Sequence, residues 1–201
     1  MNSLIDKFKE ICTNKITLPD GGDITISKLN VEFQSKLYKE IEVSENDYIV
    51  ILKYMLYVNK HICSLYRDYN FTYKDKLCLI NYWVCDMNST PLEELNFEVI
   101  DNLNNTNIDL QLDKSLMNVQ FIQSNILQEY RLLEFLLDKP GTEIGRMSVV
   151  FFDIFRFVKS IKINDQTFLT ENISIEDFFK LFELLSINHL QLITTKISEV
   201  L

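Results

Sequence analysis

Not one alanine occurs in this chain of 201 residues. Small residues let packed elements approach closely, so their loss sets the spacing of everything else. Only four Gly are present, against 23 Ile, 14 Phe and 9 Tyr. The core must therefore be bulky and aromatic-rich, with wide separations between elements. An average domain of this length would carry on the order of a dozen alanines or more. The depleted residues have GC-rich codons. The abundant ones, including 18 Asn and 16 Lys, have AT-rich codons. This bias points to an AT-rich genome and carries no functional weight alone.

The remaining composition bounds the class. With 47% hydrophobic residues the chain can bury a real core. Its length suits one domain, or two regions (1–90 and 91–201) sharing one core. The formal charge of −9 argues against nucleic-acid binding, which needs cations to neutralise phosphates. Lys7, Lys9 and Glu10 interrupt the apolar residues of the first segment, so a secretory leader is not expected. Reduced thiols are then the default for Cys12, Cys63, Cys78 and Cys85. No membrane span is expected either. Lys53 breaks the apolar run 49–58, and Asp153 breaks 147–155.

Periodicity predicts an α+β protein, mostly helical with small antiparallel β-hairpins. Leu4, Ile5, Phe8 and Ile11 fall at helical spacing. Residues 15–19 and 24–29 alternate around Asp20-Gly21-Gly22-Asp23, which predicts a hairpin. Helices follow, with Asn30, Ser44 and Thr72 as candidate caps. A second hairpin is expected from 96–100 and 108–112, with the polar segment 101–107 as its tip. Residues 118–139 fit either a helix or short strands. We favour a strand at 119–123 and leave the rest open. A helix over 147–160, a hairpin at 161–169, a Ser174-capped helix and a final amphipathic helix complete the chain.

No residue pattern in the sequence specifies a catalytic, cofactor or metal site. His61 and Cys63 point about 200° apart on a helix and cannot readily share a metal. Cys78 and Cys85 share a helix face, but no CxxC or second His completes a zinc set. His189 stands in no catalytic motif. The 101–107 segment has Thr106 and Leu112 where an EF-hand loop needs Gly and Glu. Gly141–Gly145 lacks the Lys-Ser/Thr of a P-loop. Glu93/Glu94 and Glu176/Asp177 read as solvated acids, and Tyr48, Tyr54 and Tyr57 as core aromatics.

The order of elements carries a resemblance. Ile16-Thr17-Leu18-Pro19-Asp20-Gly21-Gly22, then Ile24 to Asn30 and a helix, resembles the opening of the T4-like phage baseplate hub assembly proteins. Tyr73 to Ile80 is similar to that family's D-R/K-L-x-L-L helix, and Ile108-Asp109-Leu110 to its IDL strand. Phe155 to Ile161 resembles a Y-I-K-S-I helix end, followed by Ser174-Ile175-Glu176-Asp177 for its S-x-E-D start. The ordered set spans about 15–200. Some relatives carry Cys pairs in the middle hairpin, but 86–112 has none here, so no metal is carried over.

The resemblance implies a non-enzymatic, chaperone-like morphogenesis protein. It would bind other baseplate hub proteins in the host cytoplasm and promote their assembly. Two alternatives stay open: a permanent structural subunit of the virion hub, and an enzyme with a spatially assembled acid/base site. The final helix offers Leu190, Ile193, Ile197 and Val200 as a candidate partner-binding face.

Overall fold

The computed structural model describes residues 13–29, 31–41, 46–67, 69–138 and 145–199. The helix expected at 2–12, the caps at Asn30 and Ser44, and Pro140-Gly141 lie outside them. The architecture is α+β and 57% helical, with two antiparallel sheets.

Strands β1 (Thr13–Leu18) and β2 (Gly22–Ser27) form the first hairpin. Gly22 takes φ +74° in its turn, a conformation that glycine adopts without strain. Helices α1 (Val31–Ile41), α2 (Asp47–Leu65) and α3 (Tyr73–Asn88) follow. Asn46 caps α2 by accepting from the N–H groups of Tyr48 and Ile49. Thr72 caps α3, as the sequence predicts. α3 ends at Ser89, which adopts a left-handed φ of 54°.

The expected second hairpin is wrong in its first arm. Glu98–Leu103 is a short helix, α4, which buries Ile100 and Leu103 on one side. Five alternating residues also fit a single helical turn, and the i, i+3 apolar pair decides between them. Strand β3 (Asn107–Gln111) pairs instead with β4 (Leu116–Phe121), through a tight turn in which Leu112 and Ser115 bond each other. The strand favoured at 119–123 thus starts and ends earlier. The open stretch beyond it is helix α5 (Ile126–Asp138), burying Ile126, Leu132, Leu133 and Leu136.

Helix α6 (Arg146–Phe157) stops three residues before the expected 160, because Val158 pairs with Phe121 and opens strand β5 (Val158–Ile163). Strand β6 (Gln166–Leu169) completes the third hairpin. A 3-10 turn (Thr170–Asn172), α7 (Ile175–Glu183) and α8 (Ile187–Ser198) end the described chain. Ser174 and Ser186 cap the last two helices. The second sheet runs β3-β4-β5-β6, all antiparallel.

Two apolar cores result. The smaller packs Leu18, Ile24 and Ile26 of the first hairpin against Ile62, Leu79 and Trp83. Trp83 Nε1–H donates to Ser27 O at 3.1 Å, so its polar edge is satisfied. The larger covers the four-stranded sheet with α5 to α8. Stacked and tilted rings of Phe151, Phe155, Phe178, Phe179 and Phe182 fill it. Leu52 and Tyr73 reach the larger core from the first 90 residues, and Ile126 reaches the smaller one from beyond them.

Candidate functional site

The first turn of α3 reads Tyr73-Lys74-Asp75-Lys76, the pattern of a solvated helix start. The fold buries all four. Asp75 and Lys74 both reach the hairpin tip at Asp20, Lys74 also reaches α4, and Lys76 meets α5.

Asp75 is fully buried. Its Oδ2 accepts from Thr72 N–H at 3.1 Å, closing a capping box in which Asp replaces the usual Glu or Gln. Its Oδ1 accepts from the N–H groups of Asp20 (2.9 Å) and Gly21 (3.2 Å), at the tip of the first hairpin. One carboxylate thus fixes both a helix start and a turn 54 residues away. A Cβ on Gly21 would lie 3.0 Å from Leu18 Cδ1 and 3.3 Å from Asp75 Oδ2, so this approach favours glycine.

Lys74 points to the rim. Its Nζ lies 2.7 Å from Asp101 and 3.2 Å from Asp20. Asp20 also accepts from Thr72 Oγ1 and Gln123 Nε2. Burial pushes the Asp20 carboxyl up, but these hydrogen bonds and the Lys74 charge bring it below its ordinary value. Burial likewise opposes the Lys74 charge, and the two aspartates more than restore it, so Lys74 is raised.

Lys76 points inward, to Glu129 on α5, which is 0% exposed. Glu129 also accepts from Ser124 Oγ and, at 3.1 Å, from Asn59 Nδ2. Arg156 on α6 stands 3.6 Å from Glu129 and bonds Asp153 at 2.7 Å. The Arg156 guanidinium lies 4.7 Å from the ring centroids of Phe152 and Phe157. Burial pushes the Glu129 carboxyl up. The charges of Lys76 and Arg156, with the bonds from Lys76 and Ser124, overcome this and hold it down at about 2. Burial dominates for Asp153, whose carboxyl is raised. Lys76, Arg156, Glu129 and Asp153 sum to zero formal charge. None of them lines a described cavity; through Asn59, Lys76, Glu129 and Arg156 the cluster ties α2, α3, α5 and α6 together.

The outer surface offers contact features. Strand β3 is an edge of the sheet. The pairing pattern turns the backbone groups of Asn107, Asp109 and Gln111 away from β4, towards a groove that α8 walls with Gln191, Leu192 and Thr195. On another side, Met147, Val150, Phe179, Leu185, Ile187 and Leu190 line an apolar hollow of about 460 Å³. Met147 is 59% exposed and Ile187 74%.

The residues singled out from sequence scatter. His61 packs against Phe33 and Trp83, with ring centroids 4.1 and 5.8 Å away, and burial lowers its affinity for a proton. His189 stands on α8, and no described cavity takes both histidines. Cys85 is buried, while Cys63 and Cys78 are half-buried thiols that burial pushes up. No group of acids, Cys and His among the described residues could hold a metal. Tyr57 packs on Phe33, but Tyr48 and Tyr54 are exposed, which corrects their reading as core.

The candidate partner face faces inward: Ile193 and Ile197 are buried in the larger core, and Leu190 packs against it. Val200 lies outside the described residues. Sequence reasoning missed the Lys76–Glu129–Arg156 cluster. Its signal was present, since each charge sits among apolar residues at helical spacing. Glu129, for example, lies three residues from both Ile126 and Leu132. No family model, curated protein or solved structure matches the chain.

Proposed function

We propose that this chain is a non-enzymatic phage morphogenesis protein that binds tail baseplate hub components and promotes their assembly. The ordered motifs of the sequence favour that family. The observation that carries the contact role is the apolar hollow between α6 and the α7–α8 corner. Met147 and Ile187, which line it, are 59% and 74% exposed. Large apolar side chains grouped on a surface mark interaction sites more often than scattered ones do. The free edge of β3 supports the same reading, because its outward amides can pair with another chain.

The hollow would cover apolar surface of a hub subunit until the next subunit arrives. Affinity purification of the tagged chain from infected cells tests this. Hub proteins are expected to co-purify and to be lost with Ile187→Glu. Co-purification of no hub protein would overturn the proposal. Mass spectrometry of finished particles separates two fates: absence fits an assembly factor, and stoichiometric presence a permanent hub subunit.

A further inference from the structure

A cleft of about 740 Å³ opens between the end of α2, the start of α5 and the connection into α7. The chain uses Lys sixteen times and Arg only four times, yet two of those four, Arg67 and Arg131, line this one cleft. Among the described residues, neither has an ion-pair or hydrogen-bond partner. A guanidinium differs from an ammonium in its planar fork, which matches a carboxylate with two parallel bonds.

Other groups around the cleft are also unmatched. The carboxamide groups of Asn70 and Gln128 have no hydrogen-bond partner among the described residues. Thr170 is 3% exposed, and its Oγ1 is a buried atom with no hydrogen bond. Carboxamides offer a donor and an acceptor together, the complement of a peptide main chain. The cleft also has an apolar wall, in which Tyr69 and Leu127, 41% and 46% exposed, and Ile173 stand over the buried Phe71, Ile126 and Phe155. An inorganic anion would leave this wall and the carboxamides unused.

We propose that the cleft binds an extended segment of a partner protein carrying one acidic side chain next to an apolar one. The carboxylate meets Arg67 and Arg131, the main chain meets Asn70 and Gln128, and the apolar side chain covers the wall. Glu171 lines the same cleft. It leaves the three charged side chains at a net +1 and disfavours a second acid in the segment. The whole chain carries −9, so an acidic partner gains no long-range steering and is recognised at contact. This site is separate from the apolar hollow and does not depend on the hub assignment.

The test is an NMR titration of the full chain with an acetylated, amidated hexapeptide, Ser-Thr-Glu-Leu-Phe-Ser. A counterpart has Gln in place of Glu. The Nε–H signals of Arg67 and Arg131 should shift with the acidic peptide. The Gln peptide should bind about tenfold or more weakly, the size of one lost charge-assisted bond. Arg67→Gln with Arg131→Gln should abolish the preference, and Glu171→Gln should strengthen binding. Both arginines are exposed, so the fold survives their replacement. Equal affinity for the two peptides, no binding, or phosphate alone reproducing the shifts would each overturn the proposal. None of these failures would bear on hub co-purification.

Discussion

Lys74 and Lys76 lie two residues apart on one turn of α3, and they end in opposite environments. Lys74 reaches Asp20 and Asp101 at a corner where the Asp101 side chain is 56% exposed. Lys76 reaches Glu129 where both side chains are nearly sealed, 6% and 0% exposed. The same type of pair does different work in the two places. In the wet corner, water can replace either partner. In the dry centre nothing can, so the four helices there must arrive together with their charges matched. The contrast assigns the corner to positioning the hairpin tip and the centre to specifying how the helices pack.

Breaking the dry centre should have the largest effect. Lys76→Met strands Glu129 beside Arg156 alone, and Glu129→Leu strands two cations. Each should cost about 3–5 kcal/mol in urea unfolding, the range for a buried pair that loses one member. The double variant should cost less than the sum of the singles, because it removes both buried charges at once. An additive double would show that the pair is not coupled and that the contrast with Lys74 is false.

The same centre sets the acid response. Glu129 is held at about 2 in the fold against an ordinary 4.5. A depressed carboxyl stabilises fully above its unfolded value and loses that stability as pH falls through the folded one. Asp20, also lowered, acts in the same direction, and Asp153, raised, acts against both. Stability should therefore fall between about pH 4.5 and pH 2, and Glu129→Gln should be lower but flatter across that window. A carbon-detected titration of the wild-type Glu129 carboxyl gives the answer without a variant. A midpoint near 4.5 would refute the sealed-centre picture.

Asp75 belongs to neither extreme. It is fully buried, yet its partners are backbone amides rather than a cation. Asp75→Ala leaves amides of Asp20, Gly21 and Thr72 without their acceptor. The expected loss is about 2–3 kcal/mol, the scale of bonds to a charged group. Faster hydrogen exchange of the Asp20 and Gly21 amides should accompany it, while the Lys76 side of the turn stays protected. Equal loosening of both sides would erase the distinction between corner and centre.

Local signals made much of the scaffold legible. Two glycines between alternating runs announce the β1–β2 hairpin, and Thr72 and Ser174 stand where their helices begin. What stayed hidden depends on distant partners. Lys76 meets a residue 53 positions away, and nothing near it in sequence says that Glu129 will be there. The α4 error has another origin: five residues cannot distinguish a strand from one helical turn. Tyr48 and Tyr54 each share a face with a buried residue four positions on, Leu52 and Val58, but Tyr48 stands in the first turn of α2 and Tyr54 at the flank of the stripe, so both stay exposed.

The smallest effect is expected at the wet corner. Asp101→Asn removes one acid from Lys74 but leaves Asp20, with its bonds to Thr72 and Gln123. An exposed partner contributes about 0–1 kcal/mol, and salt screens it further. Urea unfolding should move by no more than about that amount, and less in high salt. Its size relative to Lys76→Met is the measure that matters, since the two lysines share a helix turn and are both buried, and it is their carboxylate partners that differ in access to water. A loss of about 3 kcal/mol or more would place Lys74 in the same energetic class as Lys76, and burial would no longer explain the difference between them.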